Sequence, residues 1–285
     1  MPHLLHEGVA SLVRAVRGGS NGVVDAHDAE QERIAQTAFL RLGSVLDRPL
    51  DTNGVIVLRE HFVRQQSVVG RSMLQSLSGA ERTIRTGGLR DLQRQLAVHG
   101  DHKTPLDDER AFQRAIGRPN RMEIARQRHA VSSWLTRTRR ETEREIRASF
   151  AAGRSTREAL SRTQATASVF RGGVTRIAET ELSRAYNSAK NSGLILVSRK
   201  MPGIYKRWVE HVDDSGKPKD NKVADDSMAL HGQVTLPDSS FWLEGRTHPY
   251  PPNRPNCRST LMPWRKTWGI PGWLIRDGKR VSLSK

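Results

Sequence analysis

Up to about position 200, apolar residues recur mostly at three- and four-residue spacing; beyond it they alternate with polar ones or stand in short runs. Leu4, Leu5, Val9, Leu12, Val13 and Val16 predict a short amphipathic helix over 1–17. Gly18-Gly19-Ser20-Asn21-Gly22 predicts a break after it. Ile34, Ala38, Leu42 and Val45 predict a second helix within 26–46. Pro49 to Gly54 reads as a turn, and Val55, Leu58, Phe62, Val69, Met73 and Leu77 carry a third helical pattern. Gly87-Gly88 predicts an interruption before Leu89 to Val98. A loop over 99–105 follows, then a short helix over 106–116 stopped by Gly117 and Pro119.

Asn120 is placed to cap the longest helix, which the pattern carries to about Ala152. Its apolar stripe is thin: Ile124, Val131, Trp134, Leu135, Ile146 and Phe150. Twelve arginines face five acids between Arg118 and Arg162. That imbalance implies a helix packed on one side only, with a solvated or partner-facing surface opposite. Ser155 and Glu158 have capping-box spacing for the next helix. Gly172-Gly173 predicts another break, and Val174 to Val197 reads as a strong helix through Ile177, Leu182, Ala185, Tyr186, Ala189 and Leu194.

After the Pro202-Gly203 turn, residues 204–212 alternate and are rich in aromatic and β-branched side chains, which predicts a strand. A polar loop spans 213–221, and 225–230 has the length of a helical turn. Residues 234–236, 241–243 and 259–262 are short strand candidates, while the prolines of 249–255 exclude regular structure. The tail, with Trp268 and Trp273 among glycines, carries no clear pattern. The fold class expected is α+β: a mostly helical region over 1–165 and a small mixed α+β domain over 166–285, with no internal repeat.

Composition narrows the partners. The 285 residues carry a formal net charge of +17, and only 36% are hydrophobic. So basic a chain favours an anionic partner, nucleic acid first. Before residue 165 the cations are arginines apart from Lys103; guanidinium forks suit phosphate. The exposed positions of the long helix make Arg126, Arg128, Arg137, Arg139, Arg140, Arg144 and Arg147 the DNA-binding candidates. A single cysteine excludes an internal disulfide framework. No stretch approaches the ~20 apolar residues of a membrane span, so no membrane partner is expected. The N-terminal run lacks the features of a signal peptide, so synthesis in the cytoplasm is expected.

Catalytic signatures are sparse. There is no phosphate-cradling glycine loop and no G-x-S-x-G. Cys257 has no second cysteine, and its nearest histidine is His248, so a zinc set of about four ligands does not assemble in sequence. Asp213, Asp214, Asp220, Asp225 and Asp226 crowd one loop. Paired carboxylates could hold Mg²⁺ for a nuclease, although loop acids more often cap or solvate.

The last hundred residues carry ordered anchors. They begin with Ala152-Gly153-Arg154-Ser155 and the helix Ile177-Ala178-Glu179-Thr180-Glu181-Leu182-Ser183-Arg184-Ala185. Lys206-Arg207-Trp208, Asp213-Asp214, Leu230-His231-Gly232 and Pro255-Asn256-Cys257-Arg258 follow. In order and spacing, residues 150–265 resemble the phage head morphogenesis family typified by protein F of phage Mu. The resemblance puts Glu181, Arg184, Trp208, Asp213, Gly232, Cys257 and Arg258 in motif positions. It departs from the family where Glu179 replaces Arg, Ser227 and Arg254 replace His, and Ser259 replaces the second Cys. With one of four such positions retained, no bound metal and no cofactor are expected. A Glu181–Arg258 pair is an expected lock between helix and C-terminal loop, because a buried carboxylate needs a partner. The resemblance implies a minor capsid protein of the virion head interior, passing through the host cytoplasm during assembly. Its implied partners are the portal protein, double-stranded DNA without sequence preference, and scaffold or major capsid protein. It implies no enzyme. The alternative is a metal-dependent nuclease or toxin-like enzyme using the Asp213–Asp226 loop.

Overall fold

The computed structural model of the chain describes residues 2–42, 46–101, 103–212, 225–255, 257–268, 273–276 and 279–282. The fold is α+β and mostly helical. Helices α1 (Pro2–Leu42), α2 (Thr52–Val98), α3 (Glu109–Ile116), α4 (Arg121–Ala151), α5 (Thr156–Val169) and α6 (Arg171–Lys200) precede the first strand. Then come β1 (Tyr205–Val209), α7 (Asp225–Leu230), β2 (Gln233–Thr235), β3 (Phe241–Leu243), β4 (Arg246–His248), β5 (Thr260–Trp264), β6 (Trp273–Arg276) and β7 (Lys279–Ser282).

The expected breaks at Gly18-Gly19 and Gly87-Gly88 do not occur: α1 and α2 run straight through both doublets. The physical reason is close approach. A Cβ on Gly19 would lie 2.9 Å from Leu182, and one on Gly88 would lie 2.7 Å from the carbonyl oxygen of Tyr186. These glycines let α6 approach, and the packing offsets the roughly 1 kcal/mol that each costs in helix propensity. The break expected at Gly172-Gly173 falls instead at Phe170, and both glycines lie in the first turn of α6.

The chain divides into two compact units, each built from separate stretches. One comprises 1–19, 79–119 and 179–285; the other comprises 20–78 and 120–178. The boundary expected near residue 165 is not where they part; the division falls within α1, α2 and α6.

The first unit holds the sheet, in the order β5-β1-β2-β6-β7. Strand β1 pairs antiparallel with β5 and β2, β2 runs parallel to β6, and β6 and β7 form an antiparallel pair. A separate hairpin joins β3 and β4 through Glu244-Gly245, both at positive φ (45° and 78°), which suits a two-residue turn. Leu89, Leu92, Leu96, Leu194, Val197, Trp208, Phe241 and Leu261 meet in its core.

The second unit is helical. Val131, Trp134 and Ile146 on α4, Leu58, Phe62 and Met73 on α2, and Leu160 on α5 are buried there. The expected cap holds: Asn120 Oδ1 accepts from the Glu123 N–H at 2.9 Å, and Glu123 returns the bond to the Asn120 N–H at 2.8 Å. Glu158 N–H donates to Ser155 Oγ at 3.2 Å at the head of α5. The α1–α2 and α4–α5 connections are tied by backbone bonds, Leu50 N–H to Arg154 O at 2.8 Å and Thr156 N–H to Arg48 O at 2.9 Å.

Candidate functional site

Trp208 occupies the middle of β1, fully buried, and its indole N–H must find an acceptor inside the protein. It donates to Glu210 Oε1 at 2.7 Å, two residues along the strand. The same oxygen accepts the Ser259 hydroxyl at 2.5 Å. Ser259 Oγ in turn lies 2.5 Å from Cys257 Sγ. Because the serine proton goes to the carboxylate, the thiol is the donor in that last contact. Burial, then the Glu210 charge, pushes the Cys257 thiol up to about 11. It therefore stays a protonated thiol at neutral pH and is a poor nucleophile.

Around this chain lie the turn residues. Gly232 has φ 81°, the left-handed region that favours glycine, and its N–H donates to the Trp208 carbonyl at 2.9 Å. Next to it, His231 Nδ1 accepts from the Glu210 N–H at 3.1 Å. Burial, with Arg207 adding to it, lowers the His231 pKa to about 4, so the ring is neutral and serves as an acceptor. Arg254 Nε donates to Ser227 Oγ at 3.3 Å, and Ser227 donates to Asn253 Oδ1 at 3.2 Å.

Three departures and the retained cysteine are thus joined pairwise by hydrogen bonds: Ser227 with Arg254, and Ser259 with Cys257. Of these four side chains only Cys257 is a metal-ligating type, and its thiol is held protonated. The donor set does not fit a zinc site. Among the described residues no three His, Cys, Asp or Glu converge as metal ligands. Asp213, Asp214 and Asp220 lie outside the described residues.

Glu181 is buried on α6, as expected, but its ion pair is with Arg184 one turn along the same helix rather than with Arg258. Arg258 lines a small cavity beside Cys257, with Leu12, Val13 and Val16. The geometric reason is local: an i,i+3 arginine reaches the carboxylate without any loop being placed.

Two buried arrangements have no signature in the sequence. Asn187 on α6 clamps β5: its Oδ1 accepts the Leu261 N–H at 2.9 Å, and its Nδ2 donates to the Ser259 carbonyl at 3.1 Å. The side-chain amide acts as a further strand along this edge. In the second, Lys190 Nζ donates to Asp91 Oδ2 at 2.9 Å and to Gln95 Oε1 at 3.1 Å, while the Tyr186 hydroxyl donates to Asp91 Oδ2 at 2.8 Å. Lys190 is fully buried. Desolvation lowers its pKa, and Asp91 works against that shift. The signal available in advance was only a run of polar residues on otherwise apolar helix faces.

The second unit carries the arginines of α4. Arg126, Arg128, Arg137, Arg139, Arg140, Arg144 and Arg147 are all exposed on α4. Arg139 pairs with Glu143 and Arg144 with Glu141. Arg126, Arg128, Arg137, Arg140 and Arg147 have no carboxylate partner among the described residues. By helical geometry Arg126, Arg137, Arg140, Arg144 and Arg147 fall along one face, a stripe roughly 30 Å long.

No helix among the described residues is long and apolar enough to cross a membrane. No family model, curated protein or solved structure matches the chain.

Proposed function

We propose that this is a minor capsid protein of a tailed phage, a non-catalytic head morphogenesis component that joins the portal and contacts packaged DNA through phosphates. The head reading rests on the ordered anchors of the C-terminal region. One observation supports it beyond sequence order: anchors spread over tens of residues converge on the Trp208–Glu210–Ser259–Cys257 chain, which holds a fold and offers no reactive group. The DNA contact rests on the α4 stripe, in which Arg126, Arg137, Arg140 and Arg147 have no carboxylate partner among the described residues. Phosphate contacts of this kind release counterions, so affinity falls with salt and ignores sequence.

Two experiments test the reading. Retention of unrelated duplexes is expected to be equal at low salt and lost at high salt. Arg137→Glu with Arg140→Glu is expected to reduce the slope of log affinity against log salt by about 1.8, two contacts at ~0.9 each. Sequence-selective or salt-insensitive retention overturns the DNA contact. For the head role, a portal gene immediately upstream and a scaffold or capsid gene downstream are expected. A neighbourhood without head genes overturns it.

A further inference from the structure

Within the first unit, α1 and the second half of α2 enclose a surface groove of about 690 Å³. Its lining includes Arg14, Arg82, Arg90, Thr83, Gly18 and Gly87, and among the described residues no acid. Arg82 and Arg90 have no carboxylate partner among the described residues, and the Arg14 guanidinium donates to the Ser11 hydroxyl at 3.4 Å. Three exposed cations therefore border one concavity with no internal counter-charge.

The glycines divide by role. Gly19 and Gly88 are required by the approach of α6. At Gly18 and Gly87 a Cβ would meet nothing within 4 Å. Two helix-interior glycines, each costing roughly 1 kcal/mol against alanine, thus have no packing reason among the described residues. Their effect is to leave helix backbone bare on the floor of the groove, where a ligand can come close.

We infer that this groove is a phosphate site that takes the backbone of a single nucleic-acid strand. Arg82 and Arg90 stand eight residues apart, roughly 12 Å along α2, which suits successive charges on one extended ligand better than one compact anion. The groove has the volume of a small-ligand site, less than a duplex segment fills. No aromatic residue lines it among those described, so it offers nothing for bases to stack on and is indifferent to sequence. This rests on the nucleic-acid part of the proposed function and adds a second, strand-selective contact, separate from the α4 stripe.

The test compares a labelled oligo-dT and a labelled duplex on the full chain. Arg82→Glu with Arg90→Glu is expected to weaken oligo-dT binding at least roughly tenfold and to lower its salt slope by about 1.4, two contacts at ~0.7 each. Duplex binding is expected to change little there and to fall in the Arg137→Glu/Arg140→Glu variant. Gly87→Ala is expected to raise the melting temperature while weakening oligo-dT binding, a combination that a purely structural glycine would not give. Unchanged oligo-dT binding in the Arg82/Arg90 variant overturns the inference, as does absence of oligo-dT binding by the parent protein. Inorganic pyrophosphate displacing oligo-dT at stoichiometric concentration would assign a small polyphosphate instead and also overturn it. Absence of duplex binding by the parent protein, with its oligo-dT binding intact, overturns the duplex contact of α4 and leaves the groove standing.

Discussion

The two units place their charged side chains differently. In the 20–78/120–178 unit the arginines of α4 stand outward, while Val131, Trp134 and Ile146 stand inward beside neutral polar side chains such as Thr138 and Thr142. In the other unit the decisive polar groups are inside: Lys190, Asp91, Tyr186, Asn187, Glu210 and Ser259 are all buried. An outward charge is screened and adjustable, so the first arrangement suits a surface that meets anions. An inward polar group must be matched atom by atom, so the second fixes one packing of α2, α6 and the sheet. On the proposed function, contact falls to one unit and geometric definition to the other.

The sharpest way to break that contrast is at Lys190. Lys190→Met leaves Asp91 buried with its strongest partner removed, and it should cost about 3–5 kcal/mol. Site-resolved hydrogen exchange should show protection lost over 79–119 and 179–268 and kept over 120–160. A uniform loss would mean that the units do not differ in how they depend on buried charge. The double replacement Lys190→Met with Asp91→Leu should recover much of the loss, since an apolar pair carries no desolvation penalty.

Much of the second unit is legible in the sequence. The 3.6-residue period places Val131, Trp134 and Ile146 inside and the arginines outside, and Asn120 announces its cap. The first unit is legible in its elements but less so in its connections. Strand β1 reads from its alternation, yet β6 and β7 do not, because four-residue strands at a parallel crossover have no local pattern to reveal them. The glycine doublets mislead for a related reason. Glycine signals a break only when nothing packs against it, and Gly19 and Gly88 are chosen for a neighbour some hundred residues away or more. The Lys190–Asp91 pair, 99 residues apart in sequence, is invisible on the same ground. For the candidate site, the motif order identifies Trp208, Gly232 and Cys257, while Glu210, which joins them, stands out only once Trp208 is known to be buried. Glu181 is found buried as expected, but with a nearer partner.

A pH titration sharpens the contrast without mutation. His231 has a folded pKa of about 4 against 6.5 when exposed. As pH falls below 6.5 the unfolded chain takes up the proton first. The stabilising contribution is therefore complete above pH 6.5, lost progressively as the pH falls, and gone below about 4; it amounts to about 3 kcal/mol. Denaturant midpoints for the first unit should fall across that window. His231→Asn retains an acceptor for the Glu210 N–H and should flatten this part of the profile. A parent profile that is already flat would show that the ring is not held neutral.

The smallest effect belongs to the other unit. Asn120→Ala removes the acceptor for the Glu123 N–H and keeps the backbone N–H at 120 that donates to the Glu123 carboxylate. N-cap losses of this type cost about 1 kcal/mol, several-fold less than the Lys190 replacement. Asn120→Asp, which keeps an oxygen at the same place, should be near neutral. The damage should stay local, appearing as faster exchange of the first-turn amides of α4 with the arginine stripe still helical and duplex retention unchanged. Retention that falls with Asn120→Ala would mean that the stripe depends on the exact seating of its helix. The unit would then be as geometrically defined as its neighbour, and the contrast between surface charge and buried polarity would no longer separate them.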